Sequence, residues 1–300
     1  MAKEPIIESE GAALDAVLGE LQSEHAVKEI SGWETGFVNL SRALDGMRPG
    51  LYLFIGPPAS GKTAFAKQLL DQTAMHSRVT GMYFSFAETK KELRIRTLAR
   101  LSGLDQREIR RGSAYLLHWY GVPRLAGSEA SDLPPSWEKL KRSAEDAKSW
   151  LDLSYLIECQ RGTTVQAIEA QITQNRARSG SEQMMIVIDD CQRLGGADQP
   201  LDMRLPLVAE QLQEIAVSLN MPVWAVWPSL DAGGMAGEAW REKAASPDVV
   251  LVLEQDRERT RKLTEPNQAI ILHVVKNRGG EKGRLAFDFF PAFSRFTEAP

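Results

Sequence analysis

A short apolar run, Leu51-Tyr52-Leu53-Phe54-Ile55, passes without a break into Gly56-Pro57-Pro58-Ala59-Ser60-Gly61-Lys62-Thr63. The octet fits G-x-x-x-x-G-K-[ST], with a strand before it and a helical stretch, 63–76, after it. A glycine-rich turn in that setting gathers backbone N–H groups and a helix N-terminus around one point, a cradle for phosphate oxygens. Lys62 is then the flexible cation for the β- and γ-phosphates, and the Thr63 hydroxyl is an oxygen ligand for Mg²⁺. The expected ligand is ATP with Mg²⁺, bound by Gly56, Pro57, Pro58, Ala59, Ser60, Gly61, Lys62 and Thr63.

From residue 35 onward, strands and helices alternate. Apolar strands are expected at 51–55, 82–86, 153–159, 184–188, 221–227, 249–253 and 269–276, with helices at 90–101, 165–178 and 207–220 between them. Continuous apolar strands separated by helices predict a mainly parallel sheet covered on both faces. The stretches 269–276 and 284–290 straddle Asn277-Arg278-Gly279-Gly280-Glu281-Lys282-Gly283 and predict a hairpin with a glycine-rich turn. Residues 123–136 are rich in Gly, Pro and Ser and are expected to form an exposed loop.

Residues 1–30 stand apart. Leu14, Val17, Leu18 and Leu21 fall on one face of a helix, with Glu10, Asp15, Glu20 and Glu24 around it. A lone short helix is marginal in water, so this stripe needs a partner surface, either its own domain or a neighbouring subunit.

Asp189 closes the apolar strand 184–188. A carboxylate at that position suits a Mg²⁺ partner beside a phosphate loop. Asp190 follows, open to two readings: a solvated acid or helix cap, and a residue that positions water.

The ordered set of motifs resembles the C-terminal ATPase domain of DnaB-type hexameric replicative helicases. The resemblance runs from about residue 31 to 297. It is carried by Thr35-Gly36-Phe37, Gly46-Met47-Arg48-Pro49-Gly50, the phosphate loop, Phe84-Ser85-Phe86, Ile109-Arg110-Arg111-Gly112, Ile188-Asp189-Asp190-Cys191-Gln192, Asp248-Val249-Val250-Leu251, Lys276-Asn277-Arg278 and Ser294-Arg295-Phe296. It implies a RecA-like P-loop NTPase: an α/β fold with a mainly parallel sheet, helices on both faces and a C-terminal β-hairpin. Residues 31–300 would be the ATPase domain and residues 1–30 a linker or docking helix. It further implies a homo-oligomeric, hexameric ring that hydrolyses ATP between subunits and moves on single-stranded DNA during replication. Lys276 and Arg278 would reach the neighbour's site and stabilise charge on the transferring phosphoryl group. Gln192 would sense the γ-phosphate or couple it to a DNA-facing loop. The family's separate N-terminal helical domain is not matched, so contacts made through it are not expected.

Three departures from the family pattern stand out. The family's S-L-E, whose Glu activates water, corresponds to Ser85-Phe86-Ala87-Glu88, with the carboxylate one position later; Glu88 and Asp190 both remain open for that role. The family's A-L-S-Q corresponds to Ala225-Val226-Trp227-Pro228. The inner loops, 195–203 and 231–240, hold acids and no Lys or Arg, although Arg193, Arg204, Arg241 and Lys243 flank them. An alternative is therefore a RecA-fold ATPase of the KaiC or RadA kind, a regulator or recombination accessory that does not unwind DNA.

The net charge of −4 lacks the basic footprint of a generic nucleic-acid binder. Basic residues concentrate instead at Lys90, Lys91, Arg94, Arg96, Arg100, Arg107, Arg110 and Arg111. This run is open to a solvated face, subunit pairing or nucleic-acid contact. Cys159 and Cys191 are the two cysteines and have no metal-ligand spacing. With no signal-peptide pattern and no bilayer-length apolar run, the expectation is a soluble cytoplasmic protein without membrane contact.

Overall fold

The computed structural model describes residues 14, 18–19, 30–111, 135–195, 201–228 and 246–299. The elements are α1 (Val38–Leu44), β1 (Gly50–Gly56), α2 (Lys62–Ser77), β2 (Thr80–Ser85), α3 (Lys90–Ser102), α4 (Gln106–Arg111), α5 (Pro135–Leu151), β3 (Ser154–Glu158), α6 (Val165–Ser179), β4 (Met184–Asp189), α7 (Leu201–Ser218), β5 (Pro222–Pro228), β6 (Val249–Gln255), α8 (Arg257–Thr260), β7 (Gln268–Asn277), β8 (Gly283–Phe290) and β9 (Arg295–Glu298). One-turn 3₁₀ segments lie at Cys191–Arg193 and Pro291–Phe293.

The nine strands form one sheet in the order β3-β2-β4-β5-β1-β6-β7-β8-β9. Pairing is parallel from β3 through β6. From β6 to β9 it is antiparallel. The expected C-terminal hairpin is present as β7–β8, and β9 extends it to a meander. Because β1, β2 and β4 run the same way, their C-terminal ends share one edge, where open α/β sheets bind ligands.

Alternation along the strands explains why they read as uninterrupted apolar runs. Leu51, Leu53 and Ile55 of β1 pack with Ile168 and Ile172 of α6 and with Leu205, Leu212 and Ile215 of α7. Tyr52 and Phe54 face the other way, onto Phe65 and Leu69 of α2. Phe65 is the hub of that second layer. Its ring lies 5.0 Å from Phe54, 5.2 Å from Phe37, 5.5 Å from Phe287 and 5.1 Å from Phe296. The aromatic packing fixes the helix that leaves the phosphate loop against both the parallel strands and the antiparallel meander.

Two sequence expectations change. The exposed loop expected at 123–136 falls outside the described residues up to 134, and its last two positions belong to α5, which starts at Pro135. This helix has a buried stripe at Leu140, Ala147 and Trp150, a spacing of three or seven residues that keeps one face inward. The helix expected at 207–220 begins earlier, at Leu201, and ends at Ser218. In the N-terminal segment Leu14 and Leu18 are helical and exposed, whereas Val17 and Leu21 lie outside the described residues. The inner-loop positions 196–200 and 231–240 also lie outside them, as do Arg241 and Lys243. Among the described residues no helix is long and apolar enough to cross a membrane.

Candidate functional site

The phosphate loop leaves β1 at Gly56 and enters α2 at Lys62. Pro57, Pro58 and Ala59 are exposed at its crest, while Ser60 turns inward and donates its hydroxyl to the Pro57 carbonyl at 2.8 Å. Gly61 has φ +86, and a Cβ there would sit 2.8 Å from a Phe296 ring carbon and 2.9 Å from Phe289. Those two rings stack 4.3 Å apart, so the loop rests on a rigid floor that accepts only glycine. No side chain caps the N-terminus of α2, whose N–H groups point into the loop. This is an anion-binding arrangement built from backbone alone.

Lys62 folds back over the loop and donates to the Gly56 carbonyl at 2.7 Å and the Pro57 carbonyl at 2.8 Å. Burial lowers its pKa, and the carboxylates of Asp189 and Asp190 pull it back up. Asp189 is buried, at 3 % exposure, at the end of β4. It accepts from the Tyr83 hydroxyl at 2.7 Å. Burial pushes its carboxyl up from the ordinary Asp range, with the Tyr83 and Thr63 hydroxyls opposing. The Thr63 hydroxyl and the Asp189 carboxylate are hard oxygen donors on the two elements that meet beside the phosphate loop. That donor set fits Mg²⁺.

Asp190 accepts from the Gln192 side-chain amide and lies 3.9 Å from the Arg193 guanidinium. Burial raises its pKa, and the Gln192 contacts lower it. Arg193 also donates to the Phe86 carbonyl at 2.8 Å, tying the loop after β4 to the loop after β2. Arg204 of α7 donates to the Gln192 carbonyl, so this 3₁₀ turn is connected to a third element.

Glu88 lies on the same edge, but its carboxylate is turned onto α3. Arg96 grips both oxygens, one through Nε at 2.7 Å and the other through Nη2. Ala87, one residue before it, is exposed.

Lys276 and Arg278 are elsewhere. The Arg278 N–H donates to the Asp248 carbonyl at 3.0 Å, and its guanidinium pairs with the Asp248 carboxylate at 2.9 Å. Asp248 is fixed in turn by the Leu51 N–H at 3.0 Å and the Gln213 amide at 2.9 Å. Asn277 closes the turn by donating to the Ala43 carbonyl at 2.9 Å. Asp248 precedes β6, whereas Leu253 of β6 lies against Gly56. Five residues of strand separate these levels, about 17 Å. Arg278 therefore sits at the opposite edge of the sheet from its own phosphate loop, and Lys276, paired with Val250, lies two residues of β6 nearer to it. The Arg278 side chain is 63 % exposed there.

The structure thus brings together Gly56–Thr63, Asp189, Gln192 and Glu88, and leaves Lys276 and Arg278 apart from them. Sequence reasoning missed Tyr83, Arg193 and Arg96 as members of the site. For Tyr83 the available signal was its place two residues before Ser85, on the strand beside β4. For Arg96 there was none beyond membership of a basic run.

The family model described as DnaB-like helicase C terminal domain matches residues 32–227. Replicative DNA helicase DnaB of Haemophilus influenzae is 25% identical over 304 residues, covering 97% of this chain and 59% of the relative. The Geobacillus stearothermophilus protein of the same name is 25% identical over 283 residues, covering 90% and 57%. The chain spans little more than half the length of these curated relatives. Among solved structures, an isolated ATPase domain superposes with a TM-score of 0.76 at 20% identity, covering 98% of this chain and 100% of that one. A DnaB-like replicative helicase, described with its primase interactions, gives 0.75 at 19% identity, covering 97% and 69%.

Gly61 allows a direct check of the loop's packing. Gly61→Ala meets both a left-handed backbone and two aromatic rings. It should lower unfolding stability by at least about 1–2 kcal/mol, the left-handed cost alone. Urea denaturation measures this, and an unchanged midpoint and slope would show that the loop does not rest on Phe289 and Phe296 as described.

Proposed function

The chain belongs to the family of DnaB-like helicase C-terminal domains, and from that membership we propose that it is the ATP-hydrolysing motor of a homo-oligomeric, hexameric ring that translocates on single-stranded DNA and separates strands during replication, in the cytoplasm. The observation that carries the shared-site reading is the placement of Lys276 and Arg278. Arg278 stands about 17 Å along the strands from its own phosphate loop, and Lys276, level with Val250 of β6, about 10 Å. Arg278 is exposed there, where a neighbouring subunit would present its γ-phosphate. The family match favours this motor over a KaiC- or RadA-like regulator.

The geometry supports the following roles. The loop N–H groups of Gly56–Thr63 bind the phosphates of ATP. Lys62 exchanges its two carbonyl contacts for phosphate oxygens. Thr63 and Asp189 would hold Mg²⁺, which when bound offsets the charge of the phosphates. Tyr83 keeps the Asp189 carboxylate aimed at that position. Glu88 accepts the proton of the attacking water. Gln192, hydrogen-bonded to Asp190 and gripped through its carbonyl by Arg204, carries the state of the γ-phosphate toward α7. Arg193 and Arg204 flank the inner loop at 195–203 and are the described cations available to a nucleic-acid backbone there. In trans, the planar guanidinium of Arg278 contacts two phosphoryl oxygens as charge develops, with Lys276 beside it.

Residues 1–30 are proposed as the segment that docks on the adjacent subunit, with residues 31–300 as the ATPase domain. Leu14 and Leu18 are helical yet 56% and 53% exposed, which supports a partner outside this chain. Burial of one such side chain contributes about 1.5–3 kcal/mol. Deleting residues 1–30 should therefore weaken assembly in sedimentation while leaving the unfolding transition intact. A truncated chain that sediments as the same oligomer at low micromolar concentration would place the helix on its own domain.

The shared site is tested by mixing two inactive variants. Lys62→Ala removes the phosphate-loop cation and keeps the finger; Arg278→Ala does the reverse. Each alone should lose hydrolysis, the finger by about 10³–10⁵-fold in related systems. Mixed rings contain interfaces with both parts intact, so ATP turnover should partly return. If subunits exchange and the mixture stays as inactive as its parents, Arg278 does not act across an interface.

A further inference from the structure

The contacts of Glu88 form part of a longer polar chain. Its carboxylate is held by Arg96 in a fork, at 2.7 Å from Nε and in contact with Nη2. The pair is largely sheltered, its side chains 20% and 21% exposed. Arg96 Nη1 reaches the Ser294 hydroxyl at 3.3 Å, and Arg100, one helical turn on, reaches the Ser294 carbonyl at 3.5 Å. Arg100 also pairs with Asp71 of α2, which accepts from the Thr97 hydroxyl at 2.7 Å and pairs with buried Lys67. Glu88 is thereby connected through α3 to the turn before β9 and to the phosphate-loop helix.

A fork-to-fork guanidinium–carboxylate pair fixes both position and plane of the carboxylate. Here it draws Glu88 onto α3. A residue that activates water must present an oxygen lone pair to that water, within hydrogen-bonding reach of the proton it takes. While both oxygens are gripped from the α3 side, the carboxylate is not free to turn toward the phosphate loop. The backbone nearby is not what holds it: the Ser85 hydroxyl donates to the Glu88 carbonyl at 2.6 Å and accepts from its N–H at 3.1 Å, and among the described residues it is Arg96 that holds the side chain.

We propose that Arg96 is a positioning residue that latches Glu88 away from the nucleotide, so that hydrolysis requires the Glu88–Arg96 pair to open. This rests on the reading of Glu88 as the water-activating acid. The second grip on Arg96, through Ser294, places the latch under the control of the β7–β9 meander, the element that carries Arg278 at its other end. A shift of that meander when subunits close on one another would pull Arg96 and free the carboxylate.

Four variants test the latch: Arg96→Gln, Arg96→Lys, Glu88→Gln and the double Arg96→Gln/Glu88→Gln. Steady-state ATP turnover is measured in the assembled protein without DNA, and nucleotide affinity with a fluorescent ATP analogue. Arg96→Gln should raise kcat about threefold to tenfold, as loss of a modest ion pair allows, with KM and analogue affinity unchanged. Arg96→Lys keeps the charge but not the fork, so it should fall between wild type and Arg96→Gln; it also decides the matter if Arg96→Gln does not fold. Glu88→Gln should lose at least ~10²-fold in kcat, and the double variant should be as slow as Glu88→Gln. A fall in kcat on loosening Arg96 would show that it aims Glu88 for work and overturn the latch. A rise of equal size in the Glu88→Gln background would show that Arg96 acts through another group. Full turnover in Glu88→Gln would instead overturn the reading of Glu88 itself, and loss in Asp190→Asn would then assign the role to Asp190.

Discussion

The contact between Gly61 and the stacked rings of Phe289 and Phe296 is the constraint on which the rest of the molecule depends. A phosphate loop is a strained turn with most of its N–H groups committed to a ligand, so it must be held from behind. Here the support comes from the antiparallel end of the sheet, more than two hundred residues later in the chain. The N-terminus of α2 is fixed by the same cluster, because Phe65 meets Phe287 and Phe296 as well as Phe54. The Gln68 side chain adds a pair of hydrogen bonds to the Phe296 backbone, at 2.9 and 2.7 Å. Nucleotide cradle and C-terminal meander are one packed unit.

That unit gives the meander two working ends. Near one end Phe289 and Phe296 brace the loop that binds phosphates. At the other, Asn277 and the Asp248 contacts fix the turn from which Arg278 projects. Packed elements of this kind move as rigid bodies rather than bending. On the proposed ring reading, a shift of Arg278 against a neighbour's nucleotide is therefore felt at this subunit's own phosphate loop and at Ser294, where Arg96 is anchored. On that reading, neighbouring ATP sites would be joined through a single sheet extension.

The parts of this account that were legible in the sequence are local ones. The phosphate loop, the strand before it and the acid closing β4 are each specified by a few adjacent residues, and all are where the pattern put them. The hairpin was legible because its glycine-rich turn separates two apolar runs. The helix α5 was readable in principle from Leu140, Ala147 and Trp150, but a charged surround and a preceding Gly/Pro/Ser-rich stretch hid the stripe. Long-range pairings had no local signature. Lys67 and Asp71 look like an exposed i,i+4 ion pair, yet both are buried because α2 is covered on more than one side. Arg96 looked like one cation in a basic run, and only the packing of α3 shows that it faces Glu88. Asp248 matched a family motif without revealing that it would hold Arg278.

The central claim is that one chain does not contain a complete hydrolytic site. The most direct measurement is ATP turnover per chain across a dilution series, with assembly followed in the same samples by light scattering. The account predicts that turnover per chain rises with concentration in step with oligomer formation, levels off when assembly is complete, and vanishes at dilutions where single chains dominate. Undiminished turnover per chain in samples shown to be monomeric would contradict it, because Arg278 cannot reach its own phosphate loop from the far edge of the sheet.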